Sequence, residues 1–304
     1  MAAGSDSDTK HIFQSLAVNV AIALAKGAAA IFTGSGAMLA ETLHSSADCT
    51  NQLLLLLGVK RAAKAPDEHH PLGYGRSLYF YSFIVALLLF SGGGVFSIYE
   101  GVHKLSHPEP VERVGLGLGI LVFSLALEGW ATLGNLKEMK ARRGATPLFQ
   151  WLKQTKDSDL IVVFGENSAA VLGLTLAIGA LALAAVTGDS RWDAVGSIGI
   201  GVVLVAVAVF LGVEVKSLLI GERADPSIDV AVRAQVEAEP RFAALLRLIT
   251  LQQGPGEVLV AMKVRLAAGL SGAEVVDGIN RFEQALKAAR PDIRWCFVEP
   301  DEEA

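Results

Sequence analysis

Six apolar runs, near residues 12–32, 36–60, 77–102, 114–138, 158–187 and 192–214, constrain the fold of this chain more than any other feature. Each is about as long as a helix must be, roughly 20 residues, to cross a bilayer. The composition agrees. Of 304 residues, 52% are hydrophobic and 19% charged, and the mean hydropathy is +0.46, more apolar than is usual for a soluble chain of this length. Residues 1–10 are polar, and the first apolar run lacks the basic flank and cleavage site of a signal peptide. Two cysteines, Cys49 and Cys296, are too few for a disulfide framework, so reduced thiols are expected.

Lys and Arg orient the spans. They crowd the loops after the second span (Lys60, Arg61, Lys64, Arg76) and after the fourth (Lys137, Lys140, Arg142, Arg143, Lys153, Lys156). The loops on the other side hold Lys104, Arg113 and Arg191. By the positive-inside rule both termini are expected in the cytoplasm, with a bacterial inner (plasma) membrane as the setting. Beyond the spans the composition turns polar. Asp225-Pro226 starts a helix to about Glu239, 245–252 and 258–266 read as strands, Ser271 with Glu274 forms a capping box for a helix to about Ala289, and 293–299 is a last strand. The expected division is a tail at 1–11, a six-helix membrane domain at 12–214, a linker at 215–224 and a cytoplasmic α+β domain at 225–304.

The second span is apolar enough for lipid, yet carries Glu41, His44, Asp48, Asn51 and Gln52 on one face, because steps of three and four residues return to the same side of a helix. Burying such groups in hydrocarbon costs several kcal/mol unless something compensates them. A metal ion is the expected compensation. His44 and Asp48, one turn apart, can reach one point with an imidazole nitrogen and a carboxylate. The fifth span offers Glu166, which shares a face with the small residues Ala170 and Gly173, as a shared site between two helices needs. His44, Asp48 and Glu166 are therefore the expected metal ligands, with Glu41, Asn167 or water as the fourth. Zn²⁺ accepts this donor set, as do Mn²⁺, Co²⁺ and Fe²⁺. Ligands must lose protons to bind metal, so proton exchange follows from the chemistry.

Three further features bear on the site. Lys26, about halfway along the first span, is poorly placed to snorkel and is expected in an ion pair, with Glu41 or Asp48, that is structural or part of proton coupling. Glu128, mid-way along the fourth span, either relays protons or hydrogen-bonds a neighbouring helix. In the loop 67–76, Asp67 and His70 are candidates for a second cation site, against the plainer reading of a tight Pro/Gly turn. Ser91-Gly92-Gly93-Gly94 in the third span permits a bend or a close helix approach.

These motifs together resemble the cation diffusion facilitator family, over essentially the whole chain. The residues that carry the resemblance are Thr33-Gly34-Ser35 through Glu41-x-x-His44-Ser45-x-x-Asp48, then Asp67-x-x-His70-Pro71-x-Gly73-x-Gly75, and Ser217-x-x-Ile220-Gly221-Glu222. Thr33-Gly34-Ser35 and Glu166-Asn167-Ser168-Ala169-Ala170 look like its zinc transporter 9-like branch. The resemblance implies a ferredoxin-like cytoplasmic domain, a homodimer and alternating access driven by a proton gradient. It also implies two ligands from the second helix and two, four residues apart, from the fifth. His44 and Asp48 match the first pair, but the second pair reads Glu166 and Ala170, one ligand short. Tyr74 stands where the family often has a second loop histidine, and no histidine follows His107. Metal regulation of the usual kind at the C-terminal domain is therefore not expected, and dimerisation is its expected role.

The expected function is a proton-coupled antiporter exporting a divalent cation, Zn²⁺ before Mn²⁺, Co²⁺ or Fe²⁺. It is not expected to be an enzyme, and neither a cofactor nor nucleic acid is called for. Its expected partners are the cation, protons, the lipid bilayer and a second copy of the chain. The alternatives are an intramembrane metallohydrolase on His44, Asp48 and Glu166, or a metal sensor that does not transport. Against the hydrolase, the sequence has no His-Glu-x-x-His pair and no nucleophile beside a base.

Overall fold

The computed structural model describes residues 4–108, 110–155 and 158–303, with the side chains of 4–15, 17, 18, 153, 154, 158 and 159 outside the description. Two compact units emerge. One takes in the chain as far as Leu57, with Tyr81–Phe149 and Asp159–Glu214; the other takes in Gly58–Phe80, Gln150–Ser158 and Val215 onward.

The first unit is helical. Helices α1 (Gly4–Thr33) and α2 (Gly36–Ala62) form a hairpin. Helix α3 (Ser77–Leu88) runs through a π-helical stretch, Leu89–Val95, into α4 (Phe96–Ser106). Then come α5 (Val114–Arg143), the short α6 (Leu148–Gln154), most of which belongs to the second unit, α7 (Ser158–Thr187) and α8 (Arg191–Ile220). Among the described residues four segments are long and apolar enough to cross a membrane: Ser77–Ser106, Val114–Arg143, Leu160–Thr187 and Arg191–Ile220. The chain is thus a multi-pass membrane protein. Helix α2 is long enough to cross, but its polar face lowers its apolarity. In α1 the apolar part is Asn19–Thr33, and the helix begins at Gly4 rather than at 12.

The hairpin follows from Thr33-Gly34-Ser35. Gly34 adopts φ +65°, a left-handed conformation that glycine enters without steric cost. The Thr33 hydroxyl donates to Ala29 O (2.7 Å) and accepts from Ser35 N (3.2 Å), while Ser35 Oγ caps α2 by accepting from Met38 N (3.1 Å). Asp193, buried at the start of α8, completes the cap by accepting from Gly36 N (2.6 Å), Ala37 N (3.3 Å) and the Ser35 hydroxyl. A carboxylate there also meets the positive end of the helix dipole.

The π-helical stretch holds Ser91-Gly92-Gly93-Gly94, and its glycines take part in a close helix approach. A Cβ at Gly94 would lie 3.1 Å from Val205 N and 3.3 Å from Gly201 O; one at Gly201 would lie 2.7 Å from Gly94 O. The Ser197 hydroxyl donates across the same helix contact to Ser97 O (2.9 Å). Small residues bring the backbones together, and hydroxyls then bridge them.

The second unit carries α9 (Pro226–Ala238), β1 (Phe242–Gly254), β2 (Glu257–Leu266), α10 (Gly272–Ala289) and β3 (Ile293–Pro300). The element order is the expected one, with β1 longer at both ends than 245–252. The sheet order is β1-β2-β3, antiparallel for β1 with β2 and parallel for β2 with β3, where Val260 pairs Cys296. That parallel pair needs the crossover that α10 supplies. Asp225 caps α9 through Ser227 N (2.8 Å), and Ser271 with Glu274 forms the capping box of α10. Val258, Val260, Met262 and Val264 alternate inward along β2, onto Ile228, Val232, Phe282 and Leu286 of the two helices.

Candidate functional site

The tight turn at Gly34 sets the register of the hairpin. Lys26 lies eight residues before it and Glu41 seven after, so the two reach the same level, and Lys26 Nζ donates to Glu41 Oε2 (3.1 Å) and Ser45 Oγ (2.8 Å). Both charged groups are wholly buried. Of the two expected partners of Lys26, the structure assigns Glu41. The other carboxylate oxygen, Glu41 Oε1, has no hydrogen-bond partner and faces Gly173 of α7, where any Cβ would collide with it.

One turn further along α2, His44 Nδ1 and Asp48 Oδ1 approach to 3.7 Å. His44 is fully buried, and both of its ring nitrogens lack a hydrogen-bond partner, as does Asp48 Oδ1. Beyond these, the Asn51 amide donates to Glu166 Oε1 of α7 at 2.6 Å. Asn51 Oδ1 and Gln52 Oε1 are again buried without a partner. Helices α2 and α7 therefore meet antiparallel, Glu41 against Gly173 and Asn51 against Glu166. The buried Ala169 and Ala170 lie between those two contacts.

The predicted residues are thus brought together unevenly. His44 and Asp48 adjoin, whereas Glu166 is held by Asn51. Among the described residues no three His, Cys, Asp or Glu side chains gather closely enough to hold a metal ion. Asn167, partly buried, sits beside Glu166 in sequence and outside these contacts. Glu128 of α5 lies within electrostatic range of Lys26, His44 and Asp48, so it accompanies the polar face of α2 although nothing near it in sequence is ionisable. Sequence reasoning gives no role to two residues that the fold places at key points. Asp193, which caps α2, carries as its signal an acidic residue at a helix start, while Asn51 stands seven positions, two turns, after His44.

The cation efflux transmembrane domain model matches residues 12–220. The chain belongs to the cation efflux family. These are the cation diffusion facilitators, and the resemblance to the zinc transporter 9-like branch has direct counterparts. A Xenopus laevis protein named proton-coupled zinc antiporter SLC30A9, mitochondrial, is 34% identical over 230 residues, 75% of this chain and 41% of that protein. The Homo sapiens protein of the same name is 31% identical over 251 residues, 82% of this chain and 44% of its own. Metal tolerance protein C4 of Arabidopsis thaliana is 33% identical over 196 residues, 64% and 43% of the two chains. The chain spans less than half the length of these relatives. The family is one of transporters, not enzymes, which removes the metallohydrolase alternative. The SLC30A9 names place those relatives in mitochondria and lend no support to a bacterial plasma membrane.

The two other motifs of this facilitator lie in the second unit. Asp67 Oδ2 accepts from Lys64 (2.8 Å) and the Tyr74 hydroxyl (2.7 Å), and Oδ1 accepts from His69 N (3.1 Å) and His70 N (2.9 Å). The Lys64 ammonium, then the Tyr74 hydroxyl, hold this carboxyl well below the usual carboxylate range. The His70 ring packs on Tyr74 with centroids 4.1 Å apart. Both oxygens of Asp67 are thus committed to a closed turn. A Cβ on Gly75 would fall 2.8 Å from Gln253 O, so the motif glycine seats the loop on the β1–β2 turn. Gly221 of the third motif, at φ +123°, faces the Arg76 guanidinium and Leu251.

Proposed function

We propose that this cation diffusion facilitator is a proton-coupled antiporter of a divalent cation, with Zn²⁺ the leading substrate, and that His44, Asp48 and Glu166 bind the ion between α2 and α7. One observation carries the reading. Within a membrane-spanning unit, a single helix face buries six nitrogen and oxygen atoms without hydrogen-bond partners, on Glu41, His44, Asp48, Asn51 and Gln52. Each such atom in hydrocarbon costs on the order of 1–3 kcal/mol if it stays unpaired. A cation met by one His44 nitrogen and Asp48 removes part of that cost. An imidazole with carboxylates suits Zn²⁺, in keeping with the names of the SLC30A9 relatives. Binding at deprotonated ligands expels protons, which couples the two fluxes; Lys26, Glu41 and Glu128 stand beside the ligands as carriers for them.

The same reading makes α1 and α2 membrane spans, six in all, with both termini on the side of the Lys- and Arg-rich loops. It gives the C-terminal unit a ferredoxin-like fold that pairs two copies of the chain. Proteoliposomes test the function. Zn²⁺ uptake is expected to follow an imposed pH gradient, to vanish when the gradient is collapsed, and to be lost in His44→Ala and Asp48→Ala. Uptake indifferent to both substitutions would sink the site.

A further inference from the structure

We propose that Asn51 is a positioning residue for the cation site, fixing Glu166 from α2 and supplying the constraint that a second α7 ligand at Ala170 would otherwise give. The proposal rests on the cation-binding reading above. Glu166 is the sole ionisable side chain that α7 turns toward α2 among Glu166, Ala170 and Gly173. A glutamate has three rotatable bonds, and the buried alanines beside it offer no hydrogen bond to hold its carboxylate. The 2.6 Å bond from Asn51 Nδ2 to Glu166 Oε1 supplies that hold. A carboxylate accepts and does not donate, so it fixes the amide orientation and leaves Asn51 Oδ1 pointing elsewhere. That oxygen is buried and without a partner, on the same helix face as the orphaned His44 and Asp48 atoms. Angular spacing supports the placement. Steps of four and three residues keep His44, Asp48 and Asn51 within roughly 60° around the helix axis. Glu166 is thereby kept within electrostatic reach of Asp48. Hydrogen-bond partners of metal ligands typically hold about 10–100-fold in affinity or activity.

The test measures Zn²⁺ affinity by titration calorimetry on the purified, detergent-solubilised full chain, with Zn²⁺ alone as the probe. Asn51→Leu, similar in size but without the amide, is expected to weaken binding about 10–100-fold. Asn51→Ser, which keeps a hydroxyl donor for the carboxylate, is expected to recover part of the loss. The Glu166→Gln background separates positioning from simple packing. A residue acting through Glu166 makes the two losses non-additive, so Asn51→Leu should then cost little more. Additive losses, or an unchanged affinity in Asn51→Leu, would overturn the proposal. A raised affinity would overturn it too, by showing that the amide competes with the cation for Glu166. His44→Ala is the control for the underlying reading. If wild-type protein binds Zn²⁺ and His44→Ala does not, the site stands and the outcome for Asn51 is decided on its own.

Discussion

Lys26 is held at 3.1 Å from Glu41 with both side chains out of contact with solvent, and Ser45 Oγ accepts a further hydrogen bond from the ammonium. Such a pair is costly to assemble and more costly to halve, because the remaining charge is stranded in a medium of low dielectric. Lys26→Met is therefore expected to destabilise the protein by about 3–5 kcal/mol, and the double variant Lys26→Met with Glu41→Gln to recover most of it. Thermal unfolding in detergent micelles checks both; a double variant no more stable than the single one would rule out stranded charge as the cause. The presence of an ion pair was legible from Lys26 itself, since a lysine half-way along an apolar helix must be neutralised. Its partner was not, because Glu41 and Asp48 are both acidic and both lie on the facing side of α2. The length of the turn at Gly34 decided it.

At the level of elements, glycine announces that something comes close without saying what. Ser91-Gly92-Gly93-Gly94 is visible in the sequence, whereas its counterpart Gly201, more than a hundred residues away, is a glycine among several in α8. A Cβ at Gly201 would stand 2.7 Å from Gly94 O and 2.8 Å from Ile98 N, both backbone atoms that cannot rotate aside. Gly201→Ala is thus expected to force α4 and α8 apart at about 1–3 kcal/mol. Gly212, on the same helix, has open space around it, so Gly212→Ala should be neutral or stabilising by up to about 1 kcal/mol through helix propensity. Unfolding midpoints of the two variants, measured side by side, distinguish close packing from a general sensitivity of the helix. Equal midpoints would count against the contact. The same reasoning explains α7, where Gly173 admits Glu41 and the alanines before it let Glu166 reach Asn51. The shared face was readable from spacing; the antiparallel register that pairs 41 with 173 and 51 with 166 needed three dimensions.

Across the whole molecule, the polar groups on which α2 is proposed as the site helix are also what keeps it from reading as a plain apolar span. Hydropathy therefore identifies α3 with α4, α5, α7 and α8 more readily than it identifies α2. The C-terminal unit was legible for the opposite reason. Its caps at Asp225 and Ser271 and the alternation along β2 are local signals, each satisfied within a few residues. Among the described residues its main apolar cluster likewise draws on Ala224 to Val298, with Ile228, Val232, Val260, Val264, Phe282 and Leu286 at its centre. A core assembled within residues 224–298 should survive without the membrane helices. A fragment covering residues 222–304 is expected to fold on its own, with a cooperative thermal transition in circular dichroism. Phe282 is 1% exposed and packs its ring 5.3 Å from that of Phe242, so Phe282→Ala in that fragment should cost about 3–5 kcal/mol. A fragment that melts without cooperativity, or one indifferent to the loss of Phe282, would show that the cluster depends on the rest of the chain. In that case Gly75, which meets the β1–β2 turn, is a contact the fragment lacks, and adding the 58–80 segment in trans should restore the transition.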